Sequence, residues 1–182
     1  MTYIKVFAID PSLSSTGYAY NSKNGGIITG TIKPKNIKGI NRLIYIEDTL
    51  IPHVVLPYRA GLSVIEGYAM GINRGGRTFD LGELGGILRR FFYKQSISML
   101  VVPPSNLKMF ITGKGNADKE LMAITIEKEY GKTFVSEDEC DAYGLLMMGL
   151  GYCTPAILPR DREHHKRKAL FGCQYIDCVE KH

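Results

Sequence analysis

Cysteine is scarce in this chain, and its spacing suits neither staples nor metal. The four cysteines, Cys140, Cys153, Cys173 and Cys178, include no CxxC pair. A disulfide framework is therefore not expected. His164 and His165 beside Cys173 and Cys178 match no common zinc module. Long apolar runs are missing too, so no membrane span is expected. No charged and apolar leader precedes the first strand pattern, which makes a cytoplasmic location the expectation. Neither an internal repeat nor a second domain is evident in the 182 residues. Acidic residues, 18 against 23 Lys and Arg, leave a formal net charge of +5. That excess favours a polyanionic partner. Hydrophobic residues make up 45% of the chain, enough for a full core without disulfides.

Against that basic background, four carboxylates stand out. Asp10 ends the apolar run that starts at Tyr3, and Glu66 ends Leu62-Ser-Val-Ile-Glu66. Asp138 and Asp141 lie three apart, so a helix places them on one face. Each has a plainer reading alone: an Asp after a strand is usually a turn residue, and an i, i+3 pair is usually a solvated face. Together, two strand ends and one helix face can bring all four to one point. Such a cluster is unfavourable unless a divalent cation fills it. Hard oxygen ligands suit Mg²⁺, with Mn²⁺ able to substitute. A two-metal phosphodiester hydrolase needs that arrangement.

The chain reads as an antiparallel meander followed by alternating helices and strands. Strands are expected at 3–9, 18–20, 27–32, 62–66 and 99–102, with a hairpin turn at Asn24-Gly25. Ile40, Leu43, Ile44, Glu47, Leu50, Ile51 and Val54 carry a helical period. Further helices are expected at 79–96, at 117–130 with Asn116 as N-cap, and after Ser136. There Ser136-Glu-Asp-Glu139 matches a capping box. Pro103-Pro104 reads as a strand stop. Residues 67–78 read as a mobile glycine-rich loop. The expected fold is a five-stranded mixed α/β sheet of the ribonuclease H-like type, flanked by helices. It occupies 1–154, with 155–182 as a basic C-terminal tail. That tail includes a stretch at 160–168 with five basic and two acidic residues, expected to add non-specific attraction to a polyanion and to be dispensable for catalysis.

Four segments carry a family resemblance. Ile9-Asp-Pro-Ser with Thr16-Gly-Tyr18, Val64-Ile-Glu66, Thr112-Gly-Lys-Gly-Asn-Ala-Asp-Lys119 and Asp138-Glu-Cys-Asp-Ala142 resemble the signature segments of RuvC-type Holliday junction resolvases. Order and spacing match over roughly 3–150. The short basic form is similar to the phage-encoded branch, such as that of lactococcal phages. The resemblance implies a homodimeric, Mg²⁺-dependent endonuclease that resolves four-way DNA junctions by paired nicks. It implies that Asp10, Glu66, Asp138 and Asp141 hold metal and that Lys119 faces the scissile phosphate. Two positions depart from the family: Ser12, where Gly is common, and Ala69, where the better-known bacterial pattern differs.

The loop after Glu66 is a candidate DNA contact. Tyr68 or Met70 could wedge between bases, while Arg74, Arg77 and Lys114 hold phosphates. A plain surface loop is the alternative. Gly82, Gly85 and Gly86 each weaken their helix by about 1 kcal/mol relative to Ala, so a closely approaching backbone is expected there. In the resembled family, the dimer contact uses this helix. Rival readings are a ribonuclease H-like nuclease on other branched DNA or RNA–DNA hybrids, and an actin-like ATPase or sugar kinase. The last needs two such domains around the nucleotide, and this chain offers one.

Overall fold

The computed structural model describes residues 3–56, 59–67, 77–161 and 164–178, apart from the side chains of Arg77 and Thr78. Its central strand is β1, Val6–Asp10, with all five residues buried. A strand covered on both faces reads as an unbroken apolar run. Val6 and Ala8 join one core cluster, while Phe7 and Ile9 join the other. The two-residue period of a strand sends them to opposite faces.

β2 (Thr16–Asn21) and β3 (Ile27–Ile32) complete the expected meander. Gly25 takes φ +81°, and the Ser22 N–H donates to the Gly26 carbonyl at 2.7 Å. Helix α1, Gly39–Val55, buries Leu43, Ile46, Leu50 and Val54. Ile40 and Ile44, assigned to that stripe from the sequence, are exposed. β4 (Leu62–Glu66) lies parallel to β1, and β5 (Ser98–Val102) lies parallel to β4. Helix α2, Arg77–Lys94, connects them.

Among the described residues the sheet has six strands in place of the expected five, in the order β3-β2-β1-β4-β5-β6. The sixth, Gln174–Ile176, comes from the segment read as a tail and pairs antiparallel with β5. The same segment supplies α6, His165–Phe171. Asn106 Nδ2 donates to the Ala169 carbonyl at 2.7 Å, and Ala169 and Cys178 are buried. Elements of seven and three residues carry too few apolar positions to show a period.

Three local corrections bear on the site. Pro103-Pro104 ends β5 but also opens α3, Pro104–Thr112, with proline at the favoured first position. Helix α4 starts at Lys119, not at Ala117, because Asp118 is the N-cap: its Oδ1 accepts from the Leu121 N–H at 2.8 Å. Helix α5, Glu137–Cys153, does follow Ser136, but the capping box is not formed. The Ser136 hydroxyl donates to Asp138 Oδ2 at 3.2 Å instead.

Helices α1 and α2 cover one face of the sheet, and α3 to α6 the other. Helix α5 crosses the sheet centre closely. A Cβ added at Gly149 would stand 2.5 Å from Val64 Cγ2 and 2.6 Å from Val6 Cγ1. All four cysteines are free thiols. Among the described residues, no helix is long and apolar enough to cross a membrane.

Candidate active site

Asp10 and Glu66 are the last residues of β1 and β4. These strands run parallel with Ile9 beside Ile65, so the two carboxyls emerge side by side, about one strand spacing (~4.8 Å) apart at the backbone. They share a hydrogen bond. The Gly67 N–H donates to the Val102 carbonyl at 2.7 Å. That bond continues the β4–β5 ladder past Glu66 and fixes the direction of its side chain.

The second pair comes from α5. Asp138 lies in its first turn and Asp141 one turn on. What brings α5 to the strand ends is Gly17, which pairs with Asp10 across β1 and β2. A Cβ at Gly17 would overlap the Asp138 carbonyl group. Only a glycine lets the helix start come so near. The second strand is expected only from 18, whereas β2 begins at Thr16; the place of Gly17 within the Thr16-Gly-Tyr18 signature is the available signal.

Burial raises Asp10 above the ordinary carboxylate range, and the Asp138 charge adds to this, while the Glu66 hydrogen bond and Lys119 oppose it. Glu66 is pushed up to about 9, first by burial, then by the Asp10 charge and hydrogen bond and by Asp141. Asp141 is pushed up to about 6 by burial and by Asp10. These causes tie all four carboxyls into one electrostatic group. Burial and the adjacent Asp10 carboxyl together favour the protonated form of Glu66.

Lys119 faces the same group. Its Nζ lies 2.8 Å from Glu137 Oε2 and 3.8 Å from Asp141 Oδ2. Burial alone would lower its pKa, but the Glu137 hydrogen bond and the Asp141, Glu137 and Asp138 charges outweigh that and raise it. Lys119 stands at the first position of α4, an unfavourable helix end for a cation, and this acidic group compensates. Glu137 was missed as a partner; the run Glu137-Asp-Glu139 was read only as a capping signal.

Among the described residues, no three His, Cys, Asp or Glu side chains already form a cation cage. Geometry and electrostatics differ on this point. The mutual pKa effects show that the four carboxyls act on one another, whereas the side chains do not converge on one point. Their present partners account for the difference: Asp138 is held by Ser136, and Asp141 leans to Lys119. Even so, the donor set suits a hard divalent ion. It is all oxygen and partly buried, and it would gain from added positive charge.

Of the candidate DNA contacts, Lys114 is exposed on the α3–α4 loop. Tyr68, Met70 and Arg74 lie outside the described residues. Arg77 opens α2, with its side chain outside them. Ser12 does not have a positive φ: among the described residues, only Asn36 and Ser96 combine a side chain with positive φ. Its turn is tied by the Thr16 hydroxyl, which donates to the Ser12 carbonyl at 2.6 Å.

A model of the family described as "Crossover junction endodeoxyribonuclease RuvC" matches residues 6–133. The match stops short of Asp138 and Asp141. The chain is 30% identical over 152 residues to a crossover junction endodeoxyribonuclease RuvC of Rickettsia typhi, covering 80% of this chain and 96% of that protein. It is 29% identical over 147 residues to the Rickettsia prowazekii protein of the same name, covering 77% and 92%. Among solved structures, Thermus thermophilus RuvC superposes with a TM-score of 0.66 at 16% identity, over 84% of this chain and 97% of that one. The same protein in complex with a Holliday junction substrate superposes with 0.69 at 16% identity, over 85% and 97%. These two likenesses show the ribonuclease H-like fold. With the family match spanning more than half of its length, the chain belongs to the RuvC family of crossover junction endodeoxyribonucleases.

Proposed function

We propose that this protein is a divalent-metal-dependent endonuclease that resolves four-way DNA junctions by paired nicks, working as a two-fold homodimer. One observation carries the reading: a carboxyl pair, buried Asp10 beside partly buried Glu66, at the ends of two parallel strands, set against an acidic helix start and a lysine. Asp10, Glu66, Asp138 and Asp141 would hold Mg²⁺, or Mn²⁺ in its place. When bound, such ions supply an activated water and charge stabilisation for the leaving oxygen. Lys119 neutralises a non-bridging oxygen of the scissile phosphate, having exchanged Glu137 for it. Lys114, Arg74 and Arg77 follow the backbone, and Tyr68 or Met70 meets the bases.

For the dimer, the support lies on α2. Phe79, Gly82 and Gly86 share a face by their i, i+3, i+7 spacing. Phe79 is 78% exposed, and among the described residues a Cβ at Gly82 or Gly86 would meet nothing within 4 Å. The open face leaves room for a second copy's backbone, and a closed pair presents two sites to two strands. A nuclease of four-way DNA works in the cytoplasm, and the net charge of +5 favours the phage-encoded branch.

A gel assay tests the reading. Synthetic four-way junctions, linear duplex and RNA–DNA hybrid are incubated with and without Mg²⁺. Paired nicks are expected on the junction alone, and only with the metal. Asp10→Asn, Glu66→Gln and Asp141→Asn should bind the junction without cutting it. Preferential cleavage of the hybrid, or wild-type cutting by Asp141→Asn, overturns the proposal.

A further inference from the structure

The turn after Asp10 borders a separate cavity of about 450 Å³, lined by Ser12, Leu13, Ser14, Arg42, Asp80 and Leu81 among others. Its chemistry is unlike that of the carboxylate site. Arg42, on the first turn of α1, meets Asp80, on the first turn of α2, at 3.3 Å. That is long for a charge-assisted pair, which closes to about 2.7–2.9 Å when well made. Arg42 Nε is buried and, among the described residues, has no hydrogen-bond partner. An unpaired buried guanidinium donor is costly, and its presence calls for an acceptor. The Ser12 and Ser14 hydroxyls, from residues that line the same cavity, lie 3.3 Å apart. Ser12 Oγ also accepts from the Ser14 and Ser15 N–H groups, each at 3.4 Å.

We propose that this cavity cradles a DNA backbone phosphate beside the one being cut, held by Arg42 and by the Ser12 and Ser14 hydroxyls. Asp80 occupies the guanidinium until DNA arrives. This rests on the endonuclease reading above and adds a second phosphate position to it. A guanidinium fork matches two phosphate oxygens at once, and serine hydroxyls are common phosphate donors. Ser12 is two residues from Asp10, a reach of at most about 7 Å, so the cradle lies within a nucleotide or two of the carboxylates. The Asp80 side chain is 49% exposed. Such a partner is held weakly and is readily displaced.

The plain alternative is a structural clamp between α1 and α2. The two differ in sign. For a cradle, Arg42→Gln weakens junction binding roughly tenfold and reduces the salt slope by about one, whereas Asp80→Asn, which frees the guanidinium, tightens binding. For a clamp, both variants lower the melting temperature and neither tightens binding.

A neutral methylphosphonate moved phosphate by phosphate along the cleaved strand locates the contact. Wild type is expected to lose affinity at one position flanking the cut, and Arg42→Gln to lose nothing more there. An unchanged profile in Arg42→Gln, or unimproved binding by Asp80→Asn, overturns the cradle. Linear duplex measured alongside separates the two readings. Lost junction preference with the phosphate signature intact defeats the resolvase reading alone. Kept preference without the signature defeats the cradle alone.

Discussion

Gly17 and the Asp138 carbonyl group are in backbone contact: a Cβ on Gly17 would overlap that carbonyl and stand 3.1 Å from the Asp138 Cβ. Gly17 is also the cross-strand partner of Asp10. One residue without a side chain thus joins the strand-borne carboxyls to the helix-borne ones. The spacing of the whole acidic group depends on it.

Gly17→Ala should therefore do more than overpack. Inserted atoms in a packed core cost about 1–3 kcal/mol, and here the obstacle is backbone, which cannot rotate away. Helix α5 must shift at its start, carrying Asp138 and Asp141 from Asp10 and Glu66. A misplacement of about 1 Å lowers catalytic rate on the order of 100-fold. Single-turnover junction cleavage, measured well below the variant's melting temperature, checks this. A wild-type rate would show that the contact does not set the site.

The carboxyl pair predicts an inverted pH dependence of stability. Folded Glu66 titrates at about 9 against an ordinary 4.5, and folded Asp141 at about 6 against 3.8. A carboxyl with a raised folded pKa binds its proton more tightly in the folded state. Its contribution is complete below the unfolded pKa and is lost as pH rises through the folded one. In chelated buffer the melting temperature should fall between pH 4.5 and about 9. Glu66→Gln should flatten the upper part of that fall, and Mg²⁺ should restore stability to the wild type at pH 9. A melting temperature that climbs across this window would contradict the pairing of Glu66 with Asp10.

Much of this arrangement was legible in the chain. Runs buried on both faces, such as Val6–Ile9, announce central strands, and the carboxylates that end them announce a site. The Asn24-Gly25 turn fixed the meander. What the sequence concealed had identifiable causes. Asn116 and Asp118 are both good caps, and only packing chooses between them. Ser136 has a hydroxyl that can serve either the helix end or Asp138, and it serves Asp138. Pro104 stops one element and starts another. Gly17, Arg42 and Glu137 act through contacts distant in sequence, which no local period records.

The open face of α2 yields a separation between assembly and stability. A side chain at Gly82 or Gly86 meets nothing within 4 Å among the described residues of its own chain. Replacing a helical glycine with a better helix former should add up to about 1 kcal/mol of stability per site. Gly86→Glu is thus expected to melt no lower than wild type yet to sediment as a monomer. Paired nicking should give way to single, uncoupled nicks on the junction. An intact dimer with paired nicks would place the interface elsewhere.

From the sequence alone, removal of everything after Pro159 is expected to spare cleavage. The pairing of β6 with β5 argues for the opposite outcome. The cut would delete α6 and β6, leave the inner strand β5 as a bare edge, and strip Asn106 of its Ala169 partner. Unpaired edges of apolar strands invite aggregation. A loss of about 3 kcal/mol or more in a chain of this size lowers the melting temperature by roughly 10 °C. The truncated protein should therefore be insoluble or poorly folded, and inactive. The electrostatic share of the segment needs a gentler test. Arg160 and Lys168 are exposed, so replacing both with Ala keeps the fold and its cleavage. The slope of log affinity against log salt should shrink by up to about two. If the truncated protein instead folds, melts like wild type and cuts junctions, then β6 is an ornament on the sheet rather than part of it.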